Sequence, residues 1–373
     1  MAKTNFSRTN ALTVEWWSAV TFQYGLFKNY FSKFVGKKMA RQKGKMITTS
    51  PNAMIQTKQD FKTHKKGDKI TFALIDPLSG EGVIDDERLE DNEEALTSHD
   101  WDMILRRRRH ATRSEGQLSD RRPAFDVQVK SRGALGMWLA RVHDADIIAA
   151  GSGVANSVGT ISALAPSSTR VWYGGQKTDD TLEEVANDAA IDSETNNLFG
   201  PEVIEVVKRQ VTMTEPIMRP IIIGGQEYYL IFIHPLQAKA LKQSTKWKAA
   251  HQYAGVRGPK SAFFTGALGE WDGVIIHELP KIETRLGAGG STASEYFELA
   301  DDCASGITVA RALFCGAQAV CAGYGGRPRW TEDKFDYDNE WGIALSLFLA
   351  IGKTQFNSID YGVCVVDTAI VAD

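Results

Sequence analysis

Apolar and polar positions change rhythm several times along the chain, and each change marks an element. Leu135, Trp138, Leu139, Val142 and Ala145 or Asp146 recur at three- and four-residue intervals after helix-start signals at Ser119 to Pro123. That spacing predicts one long helix over about 123–150, closed by Gly151-Ser152-Gly153. Asp68 to Ile75 is β-branched or aromatic in alternation and reads as a strand, which Pro77 to Gly82 breaks. Trp101 to Thr112 reads as a second strand. Residues 59–118 therefore look like a long, two-stranded hairpin with little core of its own, and a lone two-stranded hairpin is marginal in water. It has to lie on something.

The lead-in over 1–58 is basic and aromatic. Trp16, Tyr24, Phe27, Tyr30, Phe31 and Phe34 fall at roughly helical spacing, which predicts a short amphipathic helix in search of an apolar surface. Further on, Leu182–Ala190 reads as a helix, and Pro201 opens another with Val203, Val206, Val207 and Val211 on one face. Ile221–Ile223 and Tyr228–Ile233 flank Gly224-Gly225-Gln226-Glu227, a hairpin signal. His234-Pro235 opens a helix to about Tyr253. Ala262–Thr265, Gly273–His277, Trp341–Leu349 and Tyr361–Val366 read as strands, and Thr308–Ala322 as an Ala-rich helix. Helices and strands mix without a βαβ rhythm, so the fold class is α+β rather than a doubly wound sheet.

Composition narrows the class. Of 373 residues, 43% are hydrophobic and 24% charged, with 43 Lys plus Arg against 46 Asp plus Glu, a net charge of −3. That excludes a disordered chain, a collagen and a coiled-coil rod, and argues against a dedicated nucleic-acid module. The total hides segregation. Met1 to Lys66 holds 13 basic residues against Glu15 and Asp60, a net of about +11. Glu81 to Asp102 holds ten acidic residues against Arg88, about −9, and Arg106 to Arg132 nine basic against three acidic, about +6. Like charges repel, so each block gains by lying against its opposite, within the subunit or across a subunit boundary. Exposed pairs contribute ~0–1 kcal/mol each, so the gain is register and partner choice more than stability.

Catalytic signatures are missing. Cys303, Cys315, Cys321 and Cys364 form no C-x-x-C pair and read as buried free thiols. Met1 to Asn10 has no apolar core of a secretory signal, and Gly342 to Gly352 is too short to span a membrane. These readings place the chain in a cytoplasm-like compartment. No phosphate loop, H-E-x-x-H or Gly-x-Ser-x-Gly occurs. Gly151-Ser152-Gly153 has Asn156 where a dinucleotide loop needs its third glycine, and Gly287 to Gly290 reads as a flexible turn. His64, His99, His110, His143, His234, His251 and His277 stand at no metal-ligand spacing. Glu93-Glu94 and Asp301-Asp302 are sequence neighbours that point different ways. The expectation is no cofactor, no metal and no enzyme.

Several stretches carry a resemblance. Gly67-Asp68-Lys-Ile-Thr-Phe72, Leu78-Ser-Gly80-Glu-Gly82-Val83 and Leu89-Glu90-Asp-Asn92-Glu93-Glu94 form one group. Phe264-Thr-Gly266-Ala-Leu-Gly269-Glu-Trp-Asp-Gly273-Val-Ile-Ile276-His277 is the most recognisable. Arg311-Ala-Leu-Phe-Cys-Gly316-Ala-Gln318-Ala319 and Lys353-Thr-Gln-Phe356-Asn357-Ser-Ile-Asp360-Tyr-Gly362-Val363 add two more. Together, in consistent order from about residue 12 to 370, they resemble the major capsid proteins of podophages related to coliphage N-four.

That resemblance implies the tailed-phage capsid fold of Hong Kong 97 type. Its parts map onto 1–58 as N-terminal arm, 59–118 as extended hairpin, 119–152 with 276–373 as peripheral domain including a spine helix, and 153–275 as axial domain. It implies a structural protein that assembles with itself as hexamers and pentamers into an icosahedral shell around double-stranded DNA, inside the host cytoplasm. The implied partners are a portal, scaffolding or decoration proteins, and DNA through non-specific contact, with no membrane. Family-like sequence from near residue 12 gives the expectation of a separate scaffolding protein or none, and nothing marks a Lys–Asn crosslink. Candidate intersubunit contacts are Asp85, Asp86, Glu87, Glu90, Asp91, Glu93 and Glu94 with Arg106, Arg107, Arg108 and Arg109. The basic arm could face DNA or a neighbour's acidic block. The alternatives are a nanocompartment shell of the same fold, and an enzyme with a dispersed active site.

Overall fold

The structure, a computed structural model, describes residues 29–36, 52–58, 68–75, 78, 80, 82–85, 88, 90, 92–117, 127–153, 161–162, 164–177, 181–186, 190–191, 196–253, 267–279, 298–299 and 309–369. A 3₁₀ turn, Tyr30–Phe34, comes first. It is followed by β1 (Ile55–Lys58), β2 (Lys69–Ile75), β3 (Ser98–Ile104), β4 (Arg106–Arg113) and helix α1 (Val127–Ser152). Next come β5 (Ile161–Ser162), β6 (Val171–Gln176), β7 (Leu182–Glu184), helix α2 (Pro201–Met213), β8 (Ile221–Ile223) and β9 (Gln226–Ile233). Helices α3 (Pro235–Gln243) and α4 (Thr245–Tyr253) precede β10 (Ala267–Trp271), β11 (Val274–Glu278), β12 (Glu298–Leu299) and β13 (Val309–Cys315). The chain closes with β14 (Val320–Tyr324), β15 (Arg329–Phe335), β16 (Glu340–Lys353), β17 (Gln355–Phe356), β18 (Ile359–Asp360) and β19 (Val363–Ala369).

The larger sheet runs β10-β11-β9-β13-β19-β6-β7, with β8 on β9 and β12 on β13. β13 and β19 are buried at every position. Alternate side chains enter two cores. Ala312, Phe314, Cys364 and Val366 pack with Val203, Val207 and Val211 of α2 and Leu241 of α3. Leu313, Cys315, Val363 and Val365 pack with Ile147 and Ile148 of α1. A strand covered on both faces has no polar positions to alternate with, so period two vanishes from its sequence. That is why 308–322, expected as a helix, is the strand pair β13 and β14.

Two other expectations change. Leu182–Glu184 is a strand pairing antiparallel with β6, where the edge of the sheet takes its backbone groups, rather than the start of a helix. The helix expected from His234 to Tyr253 divides at Ser244, whose ψ of 138° is extended. The start is as the sequence implies. His234 Nδ1 accepts from Leu236 N–H while Gln237 Oε1 accepts from His234 N–H, a reciprocal cap. Likewise Gly224 and Gly225, at φ 62° and 88°, form the two-residue turn between Ile223 and Gln226. Both residues left-handed make a type I′ turn, whose twist matches that of the flanking strands.

The smaller sheet runs β1-β14-β16-β15, with β4 and β5 also on β16. β16 is 14 residues long and is its central beam. The strand expected over Trp101–Thr112 divides at Leu105. β3 pairs with β2 in the hairpin, whereas β4 joins β16 in the body. Ile343, Leu345, Leu347 and Leu349 of β16 bury one face of this sheet in the core that holds Leu135 and Leu139 of α1. Cys315, Cys321 and Cys364 are buried free thiols, and Cys303 lies outside the described residues. Burial pushes the Cys364 thiol up to about 12 and that of Cys315 up as well.

Candidate intersubunit surface

The hairpin is built from β2 and β3 in the register Lys69↔Ile104 to Ile75↔Ser98. Its root is not coreless. Phe72 stacks on Trp101 at 5.0 Å between ring centres. Trp101 and Met103 are buried with Cys321, Ala350 and Phe356 of the body. Lys69 Nζ lies 2.5 Å from Asp102, which also accepts from Thr71 Oγ1.

Beyond the root the loop is exposed. Leu78, Ile84 and Leu96 are 60%, 71% and 68% exposed, and Asp85, Glu90, Glu93 and Glu94 face solvent beside them. Glu94 Oε2 accepts from Gly80 N–H at 2.8 Å, tying the two sides of the loop together. Asp86, Glu87 and Asp91 lie outside the described residues, so the acidic block is placed only in part.

The arginine run splits by face, as alternation in a strand requires. Arg108 turns inward. Its Nη1 lies 2.5 Å from Asp146 Oδ2 on α1, whose side chain is fully buried. His110, on the same side, lies 4.7 Å from Trp138. Arg107, on the other face, covers Phe348 at 5.7 Å. Arg106 and Arg109 are exposed. The sequence grouped all four arginines as contacts to a neighbour; the structure pairs Arg108 with Asp146 on α1 of its own chain.

A second constellation escaped the sequence. The described part of the arm is seated in the body, with Phe31 and Phe34 buried against Phe232. Asp144 of α1 accepts from Tyr30 N–H at 2.8 Å and Phe31 N–H at 3.2 Å. His143 bridges Asn29 and Tyr324, each at 2.5 Å. A neutral imidazole fits both roles, accepting from the Asn29 amide at Nδ1 and donating from Nε2 to the tyrosine oxygen. Its partners stand 114 and 181 positions away, so no local motif announces them. The helical spacing over 16–28 lies outside the described residues; Tyr30–Phe34 is a 3₁₀ turn.

Burial pushes His143 down to about 4 and Asp144 up to about 6, the latter opposed by the two backbone N–H groups. The two groups work against each other. A raised carboxyl favours the folded state below its unfolded value near 3.8 and loses that advantage as pH rises through about 6. A depressed imidazole contributes above 6.5 and loses that contribution as pH falls through about 4. Stability of the native chain is therefore expected to change little from these groups over that window. Asp144→Asn is expected to destabilise progressively as pH falls from 6.5 to 4, and His143→Gln to stabilise over the same range, each by up to about 3 kcal/mol. Urea midpoints at a series of pH values check this; parallel slopes in the two variants count against it.

Among the described residues, no group of His, Cys, Asp or Glu could hold a metal ion, and no helix is long and apolar enough to cross a membrane. A shallow hollow of about 550 Å³ lies beside Glu205, Glu270, Trp271 and Asp272. Its lining is three carboxylates and a tryptophan, and Trp271 Nε1 donates to Glu205 at 2.9 Å.

Known proteins share this whole plan. The "Major capsid protein" of Pseudomonas phage KPP25 is 29% identical over 368 residues, 95% of this chain and 93% of the relative. Among solved structures, the capsid of Ralstonia phage GP4 superposes with a TM-score of 0.70 at 25% identity, covering 100% of this chain and 96% of that one. The cyanophage Pam1 capsid asymmetric unit gives 0.68 at 18% identity, over 100% and 95%, a likeness of fold. The fold is therefore the α+β capsid fold of Hong Kong 97 type. The phage capsid protein family model matches residues 15–372, and the chain belongs to that family, a family of structural proteins and not of enzymes.

Proposed function

We propose that this chain is the major capsid protein of a tailed phage. It assembles with itself, as hexamers and pentamers, into an icosahedral shell around double-stranded DNA. Apart from family membership, the observation that carries this reading is the exposed loop. Leu78, Ile84 and Leu96 stand in water beside exposed carboxylates at the end of a hairpin rooted in the body. Such a mixed surface gains only when a neighbour covers it. The parts follow as proposals: 1–58 as arm, 59–118 as hairpin, and the helix α1 as the spine of a peripheral domain, with 153–275 in the axial domain.

Asp85, Asp86, Glu87, Glu90, Asp91, Glu93 and Glu94 serve as intersubunit contacts, with Arg106, Arg107 and Arg109 among their counterparts. A portal, a separate scaffolding protein and decoration proteins are the further partners. Packaged DNA meets the shell through non-specific phosphate contacts, for which positive charge suffices. Assembly takes place in the host cytoplasm. Negative-stain electron microscopy of the purified protein is the direct test. Closed isometric particles are the expected result, and a small soluble oligomer at every concentration and salt tried overturns the reading.

A further inference from the structure

We propose that a buried chain of charges, Lys353 to Asp360 to Arg170, fixes the angle between the two sheets of the subunit and, through that angle, the diameter of the shell. The inference rests on the capsid reading and makes these three side chains positioning residues for assembly.

All three side chains are buried. Lys353 ends β16, and its Nζ donates to Asp360 Oδ2 at 2.9 Å and to the Ala165 carbonyl at 3.1 Å. Asp360 Oδ2 also accepts from Ser167 N–H at 2.9 Å, and its Oδ1 from Gln355 Nε2 at 3.0 Å. The backbone carbonyl of Asp360 accepts from Arg170 Nε at 3.2 Å. The same guanidinium then reaches the end of α2. There Nη1 donates to the Val211 carbonyl at 3.5 Å, and Nη2 to the carbonyls of Thr214, at 3.3 Å, and Pro216. Carbonyls at the end of a helix lack helical partners and favour a cation.

These contacts span both sheets. β16 is the centre of the smaller one. α2 covers one face of the larger, Val203, Val207 and Val211 packing with Phe314 and Val366. Asp360 stands between them on β18, which pairs with β17 through a turn at Asn357 and Ser358, left-handed at φ 49° and 61°. Phe356 of β17 lies 6.4 Å from Trp101 at the root of the long hairpin. The short β17–β18 hairpin therefore touches three parts of the subunit: the smaller sheet, the root of the long hairpin and, through Arg170, the helix on the larger sheet.

Two arguments give this network a geometric role. The first is energetic. Replacing a buried ion pair by apolar groups of similar volume is often neutral or stabilising, so holding the fold together does not account for it. The second is directional. The two sheets also share an apolar core, which includes Leu313 and Val365 of the larger and Leu345 and Ile351 of the smaller. Apolar contact is non-directional and lets layers shift, whereas hydrogen bonds to a carboxylate or guanidinium hold only over a narrow range of distance and angle. In a shell one kind of contact is repeated around every ring, and how it closes depends on the shape of the subunit. A change of angle inside one subunit recurs in all of them, so it accumulates over the wall as a change of curvature.

The test uses the full chain and two readouts, thermal melting of the free subunit and particle diameter by electron microscopy. Lys353→Met with Asp360→Asn removes both charges and keeps an acceptor for Ser167 N–H. This variant should melt with the wild type and still assemble, but its spread of diameters should widen about twofold or more, as further size classes or open curved sheets. Arg170→Lys keeps a cation but loses the fork that spans Asp360 and α2, and should act in the same way. Particles of the single wild-type diameter from a variant that melts normally overturn this proposal, whatever their yield, and leave the capsid reading standing. So does normal melting with no particles, which assigns the network to another step of assembly. Early melting of both variants also overturns it, since the network then only holds the fold together. If one variant alone melts early, the other decides. A wild-type chain that forms no particles sinks the capsid reading itself.

Discussion

Asp367→Ala is expected to lower folding stability by about 3–5 kcal/mol, the usual consequence of removing one partner from a buried ion pair. Asp367 sits on β19 with its side chain fully buried. It receives two of the three nitrogens of the Arg311 guanidinium, Nε to Oδ1 at 2.8 Å and Nη2 to Oδ2 at 2.7 Å. The third arm, Nη1, donates to the carbonyl of Ser152 at 3.0 Å. That carbonyl belongs to the last turn of α1, where backbone oxygens lack helical partners and a cation is favoured. One arginine thus ties β13, β19 and the end of α1 together. Alanine at 367 takes the carboxylate away from a buried cation. The urea midpoint should fall accordingly. Arg311→Met combined with Asp367→Leu should recover much of the loss, since it removes both charges and keeps the volume. A shift under 1 kcal/mol for Asp367→Ala would show that water replaces the carboxylate without cost.

The second large effect is expected at the seat of the arm. Phe34 meets Phe232 edge-on at 5.2 Å and His277 at 5.1 Å, with Phe31 and Tyr30 completing the cluster. Phe34→Ala should cost about 3–5 kcal/mol through lost burial and the cavity left behind. It should also free the arm before it unfolds the body, because the 3₁₀ turn is five residues long and carries two of the buried anchors. Trypsin should therefore cut the variant at Lys33 under conditions that spare that bond in the native chain. Equal cutting of both, with equal melting, would show that Asp144 and His143 hold the arm without the ring.

What the sequence revealed follows from where order is local. The helix α1 is legible because Leu135, Leu139 and Val142 recur at helical spacing after the start signals at Ser119 to Pro123. The β8–β9 hairpin is legible because Gly224-Gly225 admits few alternatives. The helix α2 shows itself through Pro201 and the stripe Val203, Val207, Val211, all fully buried. β13 and β14 were hidden because a strand buried on both faces looks the same as a buried helix. The candidate surface was half visible. Alternation in Arg106–Arg109 says that two faces exist, but only the position of Asp146 says that the Arg108 side is closed. Arg113, Arg329, Phe335 and Phe348 could not be joined to it, since their adjacency is a product of register across β4, β16 and β15. The arm's anchors are contacts between residues more than a hundred positions apart, beyond any window of periodicity.

β16 carries a mechanical consequence. Along its 14 residues it is hydrogen-bonded to β15 and β14 on one side and to β4 and β5 on the other. Tension applied along such a strand loads both ladders in shear, so many bonds must fail together; a strand peeled from an edge loses them one at a time. In a closed wall, stress from within is carried sideways through each building block. A strand paired along both edges, as β16 is, would resist such a load. The yielding parts are then the joints between blocks, which can slide and re-form, while the blocks keep their shape.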